Sequence, residues 1–280
     1  MAKKIALINM KGGVGKSTIA VNLAWQYACY NCWKKRVLLI DLDPQFNASQ
    51  YTLGTLRYKD ILEDGKPTVW DIFEQNTKDT INSSKKFNPV NTIRNIVNFK
   101  GGGKVDLVPS RLELSYSLMN PAQKEHLLDK FVRSIESDYD VIIIDCAPTE
   151  SFLSTAAYLA TDYLLVPVKP DYLSAIGLNL LVSSMEYFNR RYEDKKLELA
   201  GIIFNATSNY NPEETSTKVE VRELASKHDW HIFESEVSFS RSYPKGAREG
   251  KPIFWTSYSR TSQANTFHKF ALEFARRISL

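Results

Sequence analysis

The chain has 280 residues, of which 43% are apolar and 24% charged, and its formal net charge is +4. That length suits one large α/β domain with a substantial core, or two small domains. No apolar run approaches the ~20 residues that a membrane span needs, and the basic start "MAKKIALINM" holds too short an apolar stretch for a secretory segment, so a cytoplasmic protein is expected.

The first predicted element is a buried strand over 3–10, "KKIALINM", short, apolar and ended by a glycine turn. A helix follows over 16–31, with Ile19, Ala20, Leu23, Ala24 and Tyr27 at helical spacing. Cys29 and Cys32 near its end form a C-x-x-C, but there is no second pair and the four histidines are scattered, which leaves a zinc site without ligands. Three cysteines in all agree with a reducing compartment. The segment 36–43, "RVLLIDLD", predicts a second buried strand ending in the carboxylates Asp41 and Asp43.

Residues 52–104 read as a loop-rich insert within one domain spanning 1–280, with a short helix near 69–75 and a strand returning at 104–109. From Thr80 to Val105 the insert holds five basic residues and no acid. Further strands are predicted at 139–148, ending in Asp145, at 162–170 and at 197–205, ending in Asn205. Helical patterns occupy 121–137, 172–193, 213–228 and 263–278. Strands alternating with helices give an α/β fold, a mostly parallel twisted sheet with helices on both faces. A ligand then lies beyond the carboxyl ends of the strands, where Asp41, Asp43 and Asp145 fall.

The loop between the first strand and helix is "NMKGGVGKST", residues 9–18. Gly15-Lys16-Ser17 fits the end of G-x-x-x-x-G-K-[ST], but Met10 stands where the first glycine would be. Gly12, Gly13 and Gly15 let successive backbone N–H groups turn toward phosphate oxygens, and the new helix adds its positive N-terminus. Lys16 reaches the β- and γ-phosphates in such a loop, and the Ser17 hydroxyl goes to Mg²⁺. The second lysine, Lys11, has no role in the simple motif.

Residues 11–18, "KGGVGKST", closely resemble the deviant Walker A motif of the ParA/MinD family of P-loop ATPases. The resemblance continues through "LLIDLDPQFNAS" (38–49), where Phe46 stands in place of the family's usual glycine, and "VIIIDCAP" (141–148), similar to Walker B. It extends through 164–181 and 247–275, nearly end to end, with 52–104 the divergent part. It implies ATP and Mg²⁺ as cofactors, with Gly12, Gly13, Val14, Gly15, Lys16, Ser17 and Thr18 on the nucleotide. It also implies that Lys11 crosses a homodimer to the other subunit's nucleotide. Asp43 would orient the attacking water, Asp41 would sit nearer the Mg²⁺ shell, and Asp145 would hold the metal through water. Asn205 matches a position where family members contact adenine, although a strand-end asparagine is also a common turn former.

Within that family the resemblance lies closest to partition ATPases, which bind DNA non-specifically as ATP dimers and are released when a ParB-like or other centromere-binding partner stimulates hydrolysis. Residues 241–280 carry eight basic side chains against two acidic ones, so the first 240 residues are at −2. A basic tail on a near-neutral body suits a polyanion. The DNA-contacting candidates are Arg222, Arg241, Lys245, Arg248 and Lys251, with Lys85, Lys86 and Lys100 as outsiders. No helix-turn-helix domain precedes the first strand, so operator-specific repression is not expected. The alternative is a MinD-like or orphan positioning ATPase acting on a membrane or a protein cargo. "FHKFALEFARRISL" (267–280) aligns Phe267, Phe270, Phe274 and Ile278 on one stripe. Its place in the chain is that of the family's last core helix, which makes the stripe core and a membrane partner unexpected.

Overall fold

A computed structural model describes residues 1–29, 33–74, 87–121, 123–208, 212–257 and 259–280. In chain order the elements are β1 (Lys3–Leu7), α1 (Lys16–Cys29), β2 (Arg36–Leu42), α2 (Asn47–Leu53), α3 (Thr55–Glu63), α4 (Val69–Phe73), β3 (Arg94–Asn98), β4 (Lys104–Val108), α5 (Glu125–Ile135), β5 (Val141–Cys146), α6 (Phe152–Ala160), β6 (Tyr163–Val168), α7 (Ser174–Arg191), β7 (Glu198–Thr207), α8 (Pro212–Lys227), β8 (Val237–Ser238), α9 (Ser242–Glu249) and α10 (Thr261–Arg277). A 3₁₀ segment over Leu112–Met119 follows β4.

The sheet order is β3-β4-β2-β5-β1-β6-β7-β8, parallel throughout except for the antiparallel β3–β4 edge. The expected mostly parallel sheet with helices on both faces is therefore what the chain forms. β1, β2 and β5 are runs of Ile, Leu, Val and Ala buried on both faces, the signature of central parallel strands. One core lies between the sheet and α4 to α8, the other between the sheet and α1, α2, α3 and α10. α1 is enclosed on nearly every side, 11 of its 14 residues being buried, so it serves as a fixed mount for the loop before it.

Register places the carboxylates. Asp41 of β2 pairs with Asp145 of β5, and Leu7 at the end of β1 pairs with Asp145 on its other side. All three strand ends open onto the turn that follows β1.

One expectation is corrected. Segment 52–104 is not loop-rich among its described residues: α3, α4 and the edge strand β3 lie within it, as does the end of α2. α3 buries only Tyr58 and Ile61, and β3 has no fully buried residue, so neither carries the long apolar period that announces an element. Lys85 and Lys86 lie outside the described residues. The stripe on α10 is core, as its place in the chain predicted. Phe267, Phe270, Phe274 and Ile278 are all fully buried, with Phe233 set edge-on to Phe270 and Phe274. Truncating any one of these phenylalanines to alanine would cost about 3–5 kcal/mol. Among the described residues no helix is long and apolar enough to cross a membrane.

Candidate nucleotide site and adjoining basic cleft

The turn after β1 is tied down before it begins. Asn9 is buried; its Nδ2 donates to the Pro167 carbonyl on β6 at 2.8 Å, and its Oδ1 accepts from the Lys11 N–H at 2.9 Å. Gly13 and Gly15 then take left-handed backbone, φ 74° and 90°, which a side chain would resist. Gly15 has a second constraint, because a Cβ there would come within 2.1 Å of Asn205 Nδ2. That amide also donates to the Val14 carbonyl at 2.7 Å. α1 starts at Lys16, so its unpaired N–H groups face the same opening.

Lys16 is buried with its ammonium on the Asn9 and Lys11 carbonyls, both at 3.1 Å. Burial lowers its pKa, and the nearby Asp145, Cys146 and Asp43 work against that shift. A cation held on two backbone carbonyls exchanges readily for a phosphate, which supplies full negative charge.

The three carboxylates differ in what they touch. Both Asp145 oxygens are buried with no hydrogen bond of good geometry, and only the Ser17 hydroxyl and the Lys16 ammonium stand near enough to favour their charge. Burial raises the pKa of Asp145, Asp41 raises it further, and Ser17 and Lys16 offset part of the penalty. Asp43 lines the cavity, with Oδ1 accepting the Gln45 N–H at 2.9 Å; burial raises its pKa, and that hydrogen bond and Lys16 oppose the rise. Asp41 does not have the bonding expected of a residue at a metal. Its Oδ2 accepts from both the N–H and the hydroxyl of Ser49, at 2.7 and 2.6 Å, and its Oδ1 accepts the Asp43 N–H at 3.1 Å. Fully buried, it has a pKa pushed up to about 7, and its work is to clasp the start of α2. The length of the strand run hid this, because the sequence shows three similar aspartates and not their partners.

A cavity of about 520 Å³ opens over Gly12, Gly13, Gly15, Lys16, Ser17 and Thr18, with Asp43 and Pro148 on its wall. Gln45, Asn47, Gln50 and Tyr51 complete one side, all from the α2 region, and were not anticipated. The donor set fits a phosphate chain with a hard divalent ion. The loop and Lys16 match the anion, while the buried Asp145 carboxylate and the Ser17 hydroxyl match a cation that keeps most of its waters. Among the described residues no three His, Cys, Asp or Glu side chains converge on a metal.

Asn205 stands behind the loop and not on the cavity's lining, where its Nδ2 donates to the Val14 carbonyl and braces the turn. Lys11 lies at the mouth, ion-paired with Asp171 just before α7. Asp171 is held below the usual carboxylate range; partial burial pushes up, and the Lys11 ion pair outweighs it. Neither Asn9 nor Asp171 was singled out from the sequence. A polar residue closing an apolar strand, as Asn9 does, is the signal that was available.

On the far side, Arg241, Lys245 and Arg248 of the α9 segment line a second cleft of about 670 Å³ with Arg260 and Phe239. Arg248 borders both cavities. The remaining basic candidates are elsewhere. Arg222 packs over the Phe204 ring at 5.3 Å on α8. Lys251 lies just past α9 without lining the cleft. Lys100 sits in the β3–β4 hairpin, at the opposite edge of the sheet. Arg260 was missed because it stands alone in an uncharged stretch.

A family model described as an AAA domain matches residues 2–199. The sporulation initiation inhibitor protein Soj of Bacillus subtilis is 32% identical over 206 residues, 72% of this chain and 72% of its own. Among solved structures, apo McdA of Cyanothece superposes with a TM-score of 0.77 at 21% identity, covering 97% of this chain and all of its own. A plasmid partition protein of Borrelia burgdorferi bound to AMPPNP superposes with a TM-score of 0.72 at 22% identity, covering all of this chain and 99% of its own. With its two-lysine loop, its eight-stranded sheet and this similarity to Soj, the chain belongs to the ParA/MinD family of P-loop ATPases.

Proposed function

We propose that the protein is a partition-type ATPase, a Mg·ATP-dependent dimerisation switch that binds DNA without sequence preference. The observation that carries the reading is the position of α9. This one helix and its cap line the nucleotide cavity through Ala247 and Arg248 and the basic cleft through Arg241, Lys245 and Arg248. A change in the first cavity therefore acts on the surface of the second.

Lys16, the loop N–H groups and Ser17 bind and orient the triphosphate. Bound Mg²⁺ supplies charge neutralisation across the phosphates, and Asp145 with Ser17 is the pair that would hold it. Asp43 orients the water that attacks the terminal phosphate, and Lys11 from a second copy of the chain offsets charge there. The exposed apolar side chains Tyr172, Leu173 and Ile176 stand beside Lys11 and would be covered when two copies meet. Arg241, Lys245, Arg248 and Arg260 neutralise DNA phosphates, giving salt-sensitive, sequence-independent binding. A partner protein that accelerates hydrolysis releases the dimer from DNA.

The test is a DNA titration of Asp43→Ala protein with ATP, ADP or no nucleotide at two salt concentrations, with anionic vesicles in parallel. Binding to random-sequence DNA only with ATP, weaker at high salt, is expected. Vesicle binding without DNA binding would overturn the reading in favour of a membrane-positioning ATPase.

A further inference from the structure

Phe46 stands at the end of the turn that carries Asp43, in left-handed backbone with φ 50° and ψ 30°. A bulky residue is uphill in that conformation and keeps it only where its surroundings impose it. The Phe46 N–H donates to the Asp43 carbonyl at 2.8 Å, and its own carbonyl accepts from Gln50 to start α2. Its ring stacks on Tyr58 of α3, with centroids 5.2 Å apart and planes 20° from parallel.

Tyr58 is itself immobilised. It is buried, and its hydroxyl donates to the Ser110 carbonyl at 3.0 Å. The Ser110 N–H donates to Ser49 Oγ, and Ser49 in turn clasps Asp41. The turn is thus held between two fixed points, the Asp41 clasp and the Tyr58 ring. Between them, the Gln45 N–H fixes one oxygen of Asp43. Phe46 does not line the cavity, while its neighbours Gln45 and Asn47 do.

We propose that the Phe46–Tyr58 stack is the device that aims the Asp43 carboxylate into the nucleotide cavity, with Phe46 a positioning residue that touches no nucleotide. This rests on the reading of Asp43 as the group that orients water. With glycine at this position the turn would accept left-handed backbone without strain, and no clamp would be required. With phenylalanine the clamp becomes part of the catalytic geometry, and it ties Asp43 to α3 in the divergent segment.

The experiment is single-turnover ATP hydrolysis by the full chain, with nucleotide affinity and melting temperature measured on the same samples. Phe46→Ala and Tyr58→Leu are each expected to slow hydrolysis about tenfold while nucleotide affinity stays within twofold. Phe46→Tyr keeps both rings and the Tyr58 hydroxyl bond to Ser110 and should hydrolyse at the wild-type rate. Phe46→Leu stands in if the alanine variant does not fold. Wild-type rates in Phe46→Ala and Tyr58→Leu, with only the melting temperature lowered, would overturn the proposal and leave the stack as packing. Asp43→Asn separates the two levels. If it is inactive while Phe46→Ala is not slowed, only the stack proposal fails. If Asp43→Asn hydrolyses ATP at the wild-type rate, the role of Asp43 fails and the stack proposal fails with it.

Discussion

The Lys11 ammonium and the Asp171 carboxylate form an ion pair within one chain, at the mouth of the phosphate loop. Leu173 N–H and Ser174 Oγ also donate to Asp171, at 3.3 and 3.1 Å, so the acceptor is fixed by the first turn of α7. Gly177 in the same helix lets it approach, since a Cβ there would lie 3.1 Å from the Lys11 Cβ. A lysine destined for another subunit's nucleotide must leave this partner. Asp171→Asn is therefore expected to favour the ATP dimer. Both side chains are partly exposed, so each pair is worth ~0.5–1 kcal/mol, and the two that break per dimer give about five- to thirtyfold in the dimer dissociation constant. Lys11→Ala should retain nucleotide binding and lose the dimer. Analytical ultracentrifugation with ATP on an Asp43→Ala background measures both, and an Asp171→Asn dimer no tighter than its parent would remove Asp171 from the switch.

Asn205 gives a second prediction, on binding by the monomer. Its amide braces the Val14 carbonyl, and removing one hydrogen bond of this kind costs about 1 kcal/mol. Asn205→Ala should therefore weaken ADP binding about fivefold, read by a fluorescent-nucleotide titration. Gly15→Ala should abolish binding, because the new Cβ meets that amide and φ is 90°. The double variant should not recover, since the backbone constraint remains. Recovery would mean that the contact alone, and not the left-handed turn, requires glycine.

How much of this was legible follows from what each signal depends on. The central strands and the loop were readable because their signals are local: apolar runs of five to seven residues and a lysine–glycine motif within ten. β3 was not, since a half-exposed edge strand made of "RNIVN" has no run to see. The site residues divide the same way. Gly12, Lys16 and Ser17 announce themselves, whereas Asp41, Asp43 and Asp145 are alike in sequence and differ only in partners that lie from 2 to more than 100 residues away. Ser49 turns Asp41 into a clasp, and full burial beside Ser17 and Lys16 marks Asp145. Asp171 and Arg260 gain meaning only from what folding sets beside them.

The Asp41 clasp predicts a pH dependence of stability. Its folded pKa of about 7 lies above the unfolded carboxylate value of ~3.9. The folded state therefore binds the proton more tightly, so this contribution is full below pH ~4 and is lost as pH rises to about 7. The ceiling is about 4 kcal/mol. Nucleotide-free protein should resist urea better at pH 5.5 than at pH 8, and Asp41→Asn, which still accepts from Ser49, should flatten that difference. An unchanged pH dependence in Asp41→Asn would show that Asp41 is ionised in the folded protein throughout this range.

The basic cleft makes the sharpest distinction between residues that look alike in sequence. Arg241, Lys245, Arg248 and Arg260 share one concave surface, while Arg222 is laid over the Phe204 ring on another helix. Removing a side chain that neutralises one phosphate should lower the slope of log affinity against log salt by about 0.9. Arg241→Ala and Arg260→Ala should each do so and weaken ATP-dependent binding uniformly across DNA sequences. Lys245→Ala should do less, because Lys245 is already ion-paired with Glu249 at 3.4 Å. Arg222→Ala should leave both affinity and slope unchanged. If Arg222→Ala weakened binding as much as Arg260→Ala, the DNA path would run over α8 and not through the cleft, and the coupling assigned to α9 would lose its structural basis.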